Sequence, residues 1–116
     1  MCIQKDVGEL FVGKPDELVL AYDDIIQVIS QWEPHSLGAS INTIVITSQK
    51  AWLIIKPMKK ELDLKFYHDE ALGSKKLKKV QAWGKKFAHH IRIKGPEELD
   101  EEVLELLRMG FEYSLR

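Results

Sequence analysis

Two stretches of the chain alternate strictly between apolar and polar side chains, and the expected architecture is built around them. From Glu61 to Tyr67, Leu62, Leu64 and Phe66 point one way while Glu61, Asp63, Lys65 and Tyr67 point the other. That two-residue period is the mark of a strand with one buried face and one wet face. Phe87, His89, Ile91 and Ile93 alternate in the same way with Ala88, His90, Arg92 and Lys94. Two shorter β-branched runs, Ile44–Ile46 and Trp52–Ile55, are separated by the polar Thr47–Lys50 and read as hairpin-linked strands.

The flanking segments carry the helical period instead. Ile3, Val7, Leu10 and Phe11 predict a short amphipathic helix ending at Gly13, and Pro15 opens a second helix whose stripe is Leu18, Tyr22, Ile25, Ile26 and Ile29. That helix stops near Trp32, before a loop from Pro34 to Gly38. Gly95 and Pro96 precede a last helix over Glu97–Ser114, while Lys75–Lys86 reads as an irregular, lysine-rich connection. The expectation is one α+β domain over residues 1–116. Its form is a two-layer sandwich in the order helix, helix, four strands, helix, with the helices on one face of a four-stranded antiparallel sheet.

Composition narrows the setting. A chain of 116 residues, 45% hydrophobic and 30% charged, is the size of one globular core. Its one cysteine, Cys2, rules out an internal disulfide and a cysteine-based zinc site. No apolar run approaches the ~20 residues of a spanning helix and no secretion-signal pattern opens the chain, so the expected location is the cytoplasm, with no membrane partner.

Charge changes the picture more. The net charge is −1, yet the window from Ala71 to Pro96 holds seven lysines and Arg92 with no acid. Residues 1–36 are acidic, and six further acids lie between Glu97 and Glu105. Opposed blocks of this kind steer a charged partner or pair with each other inside the fold.

The chemistry-bearing motifs are few. Neither a glycine-rich phosphate fingerprint nor an activated serine or cysteine is present, which gives no catalytic residue and no cofactor. The better candidate is a binding surface made by Tyr67, Trp83, Lys85, Lys86, His90 and Arg92, because lysines neutralise phosphates and an exposed tryptophan stacks on a base. The expected function is a non-enzymatic binding or accessory module for an anionic ligand or nucleic acid. One alternative is a metal-dependent enzyme in which His68 and His89 meet at one end of the sheet with Asp69 or Glu70 beside them. Against it, His89 shares parity with Phe87 and Ile91, as a core histidine would. Another alternative is an oligomerisation unit, with Trp52 and Ile54 forming a homodimer contact on an exposed sheet surface.

Several short segments together resemble the DUF5655 family, a bacterial domain family without an assigned activity. They are Leu10–Pro15, Leu62–Leu64, Trp83 followed by His89–Ile93, and Gly95–Leu99. The resemblance extends over nearly the whole chain. It implies a small α+β fold in standalone form with a recurring Trp and His-His segment, and it carries over no catalytic residue.

Overall fold

The computed structural model of the protein describes residues 7–40 and 42–115. Helix α1 spans Asp16–Trp32 and α2 spans Glu101–Ser114. Between them run six strands: β1 (Ser36–Ala39), β2 (Ile44–Thr47), β3 (Ala51–Pro57), β4 (Leu62–His68), β5 (Leu77–Trp83) and β6 (Lys86–Ile93). All pair antiparallel in the order β1-β2-β3-β4-β6-β5. The α+β class and the antiparallel sheet are as expected, but the sheet has six strands rather than four. Among the described residues no helix is long and apolar enough to cross a membrane.

The two extra strands are the sheet's edges. β1 replaces the loop expected over Pro34–Gly38, and β5 replaces the lysine-rich connection. Both are solvated over most of their length, so no burial imposes an alternating pattern on their sequences. What holds β5 is its backbone ladder to β6, closed by a two-residue turn at Gly84 and Lys85. Gly84 has φ +64, the positive value that the first position of a type II′ turn requires and that glycine adopts at no steric cost.

The core is a slab between one face of the sheet and the helices. Leu53, Ile55, Leu62, Leu64, Phe66, Ile91 and Ile93 line the sheet side and are all fully or almost fully buried. From α1 come Leu18, Ala21, Tyr22, Ile25 and Ile29, and from α2 Val103, Leu106, Leu107 and Phe111, spaced so that each set forms one stripe. Each large side chain so buried contributes about 1.5–3 kcal/mol. Gly110 lets α2 approach β4, since a Cβ there would meet Phe66 Cδ2 at 2.6 Å.

Helix ends differ from expectation in instructive ways. Within the first helix expected, only Val7–Phe11 is described, and it is a single 3₁₀ turn that Gly13 ends at φ +78. Ile3 lies outside the described residues. The last helix is split: Pro96–Glu98 forms a 3₁₀ turn, and Asp100 then caps α2 by accepting the Val103 N–H at 3.0 Å. An aspartate within an acidic run reads as one more first-turn acid, which hides its capping role.

Candidate functional site

One face of the sheet carries no helix, and strand parity decides what stands on it. β4 presents Asp63, Lys65 and Tyr67; β6 presents Ala88, His90 and Arg92; β5 presents Lys79, Gln81 and Trp83. The registers set these side by side. Lys65 pairs with His90 and His90 with Lys79, Asp63 pairs with Arg92, and Tyr67 pairs with Ala88. On the other flank β3 adds Ile54 opposite Lys65 and Lys56 opposite Asp63.

Asp63 organises the centre. It is only 7% exposed although it stands on the uncovered face, because the His90 and Arg92 side chains lie over it. His90 Nδ1 donates to Asp63 Oδ2 at 2.9 Å, and Arg92 Nε donates to Oδ1 at 3.3 Å. A charge-assisted pair of donors satisfies a carboxylate better than water access alone would at this depth. Among the described residues His90 Nε2 has no hydrogen-bond partner, and it is not buried. It meets a shallow depression of about 290 Å³ in which Lys56, Lys65, Lys79 and Arg92 surround Asp63 and His90, with Thr43, Ile54 and Met58 on its β2–β3 side.

The aromatic end lies beside the β5–β6 turn. Trp83 is 58% exposed, as a stacking surface requires. Lys65 Nζ stands 5.5 Å from the Trp83 ring centroid and 5.3 Å from that of Tyr67, while Lys86 Nζ lies 4.3 Å over Tyr67. These are cation–π contacts that hold the ammonium groups against the rings. Ala88, 3% exposed, is the small floor opposite Tyr67 and Gln81.

Of the six residues expected to form the surface, Tyr67, Trp83, Lys86, His90 and Arg92 therefore gather on or beside one face, and Lys85 sits in the turn at its rim. Lys56, Lys65 and Lys79 join them. Lys65 was legible from parity. Lys79 was not, because its strand has no buried side to betray it.

His89 occupies the opposite face. It is fully buried and stacks on Phe66 with ring centroids 5.1 Å apart and planes 10° from parallel. The Leu72 N–H donates to Nε2 at 3.0 Å, so the ring proton sits on Nδ1 and is donated to the Phe87 carbonyl at 3.1 Å. Burial pushes its pKa below the ordinary value of 6.5, against a smaller upward effect of the Phe87 carbonyl. His68 approaches edge-on, 6.5 Å between centroids, with Nδ1 accepting the Glu70 N–H at 3.2 Å. The two histidines do meet at one end of the sheet, but both nitrogens of His89 are committed to backbone and leave no lone pair for a metal. Among the described residues, no group of three or more histidine, cysteine or acidic side chains could hold one.

Two further expectations change. Trp52 is 2% exposed rather than on an open surface, because the pairing of β2 with β3 slips between Ile46/Leu53 and Thr47/Ala51 and turns the indole under the helices. It packs there against Trp32 and Phe111, so Trp52 does not stand on an exposed sheet surface as expected, whereas Ile54 does lie on the open face. Part of the basic segment pairs internally. Lys76 Nζ lies 2.6 Å from Asp100 Oδ2, and Ser74 donates to Glu102.

Comparison with curated proteins finds no match, and comparison with solved structures finds none. The family model described as a domain of unknown function (DUF5655) matches residues 7–114, nearly the full length of the chain, and the protein therefore belongs to that family.

Proposed function

We propose that the domain is a binding module whose open sheet face takes an anionic ligand, with nucleic acid as the class that suits it. The observation that supports this reading is the charge of that face. Lys56, Lys65, Lys79, Lys86 and Arg92 stand on or beside it, and Asp63, the carboxylate at its centre, is already engaged by His90 and Arg92. The acidic blocks elsewhere bring the whole chain near neutrality without cancelling this field, since screening confines exposed charges to about 8–10 Å at physiological salt. Phosphates meeting such a surface release counterions, which is a source of affinity in itself. The expected setting is the cytoplasm, where a single cysteine stays reduced.

The test is a titration of a fluorescently labelled single-stranded oligonucleotide, read by anisotropy across a salt series. Affinity should fall on a straight line in log–log coordinates, and Lys79→Ala should reduce the slope by about 0.7. Absence of binding at the lowest salt, to the oligonucleotide and to inorganic polyphosphate alike, contradicts the proposal.

A further inference from the structure

The open face has two ends of different chemistry, and their separation is informative. At one end is an exposed π-surface, Trp83, beside Tyr67. At the other is the depression over Asp63, where nothing aromatic stands and where His90 Nε2 faces outward among Lys56, Lys65 and Lys79. Arg92 bonds Asp63 through Nε, and among the described residues the terminal nitrogens of its fork have no hydrogen-bond partner.

We infer that the ligand is single-stranded nucleic acid lying along β5 and β6, with an unstacked base on Trp83 and a backbone phosphate in the depression at His90 and Arg92. The inference rests on the anion-binding reading above and narrows it. A base requires a free ring face, and every base has one to offer an exposed tryptophan. A phosphate requires cations and free hydrogen-bond donors. Lys56, Lys65 and Lys79 bring the charge to the depression, and Asp63, by holding Arg92 Nε–H, turns the terminal nitrogens of that guanidinium outward as donors. A duplex keeps its bases stacked inside and has no use for Trp83.

The spacing sets a footprint. Trp83 pairs with Lys86, and Lys79, four residues earlier on the same strand, pairs with His90. At ~3.3 Å per residue the two points lie about 13 Å apart. A stacked chain advances ~3.4 Å per nucleotide, so roughly four stacked nucleotides, or fewer if the chain is extended, separate the base on Trp83 from the phosphate at His90. Lys65 bridges the interval, with its backbone opposite His90 and its ammonium near the Trp83 ring.

The experiment is a length series on the intact protein: a mononucleotide, a dinucleotide, a tetranucleotide and an octanucleotide, each measured against wild type, Trp83→Ala, Lys79→Ala and His90→Ala. Thermal unfolding of each variant checks that it folds. The two-point site predicts affinity that rises steeply up to about four nucleotides and then much less, and for the tetranucleotide a loss of roughly ten-fold or more in Trp83→Ala. Lys79→Ala should weaken tetranucleotide binding without any change in fold. It keeps the phosphate end testable if His90→Ala, which strips Asp63 of a partner, does not fold. A duplex or polyglutamate bound as tightly as the single strand, with Trp83→Ala without effect, overturns the inference while leaving the anion-binding reading intact. Failure of every polyanion to bind overturns that reading itself.

Discussion

His89 and His90 are adjacent in sequence and live on opposite sides of the same sheet. His89 is sealed beneath the helices, stacked on Phe66, with both nitrogens bonded to backbone. His90 is held by one carboxylate, and its second nitrogen is not buried. The same side chain is thus a neutral structural bridge on one face and a polar donor or acceptor offered outward on the other. What separates them is one step of strand parity, and everything on either face follows the same division: packing energy below, charge above.

That division can be broken most severely from below. Phe66→Ala should cost about 3–5 kcal/mol in denaturant unfolding, since it empties the slot between His89 and α2. Gly110→Ala drives a methyl group into Phe66 from the other side and should cost about 1–3 kcal/mol. If either variant unfolds like wild type, the covered face is not packed as described.

A gentler test uses acid. Because burial holds native His89 below its ordinary pKa of 6.5, the unfolded chain takes up the proton first as pH falls. The contribution of neutral His89 is complete above about pH 6.5 and is lost on acidification down to the folded pKa. Asp100, held below its ordinary 3.8 first by Lys76 and then by the Val103 N–H, contributes stability that is lost only as pH falls from that value through its lower folded pKa. The stability of wild type, measured by urea titration, should therefore decline between about pH 7 and pH 5, and His89→Gln should flatten that decline. An unchanged slope in the variant would mean that His89 titrates as freely as an exposed histidine.

The smallest stability effects belong to the upper face. Lys79→Ala should change unfolding free energy by no more than about 0.5 kcal/mol, because it removes an exposed charge from an edge strand. Paired with the loss of salt-dependent binding expected of the same variant, this sharpens the contrast: Phe66 matters to folding, Lys79 to the ligand.

How much of this could be read beforehand follows the same line. β4 and β6 were legible because one of their faces is buried, and burial writes a two-residue period into the sequence. The period also assigned His89 inward and His90 with Arg92 outward. β1 and β5 were illegible because edge strands exposed over most of their length are held by backbone ladders, which any side chain but proline permits. The loss of β5 cost the site most, since it moved Lys79 from a supposed loop to the row beside His90. Trp52 was misplaced for a different reason. A slip in the ladder reverses parity locally, and no side-chain pattern around Ala51 announces it.

The three tryptophans allow the central claim, that the uncovered face is the working one, to be tested in a single spectrum. Trp83 stands on that face, whereas Trp52 and Trp32 pack together with Phe111 beneath the sheet. In a two-dimensional ¹H–¹⁵N titration with a single-stranded tetranucleotide, the Trp83 indole N–H and the amides of Lys79 and His90 should shift. The indoles of Trp32 and Trp52 should stay where they are. Movement of the Trp32 and Trp52 indoles with Trp83 unmoved would contradict the account.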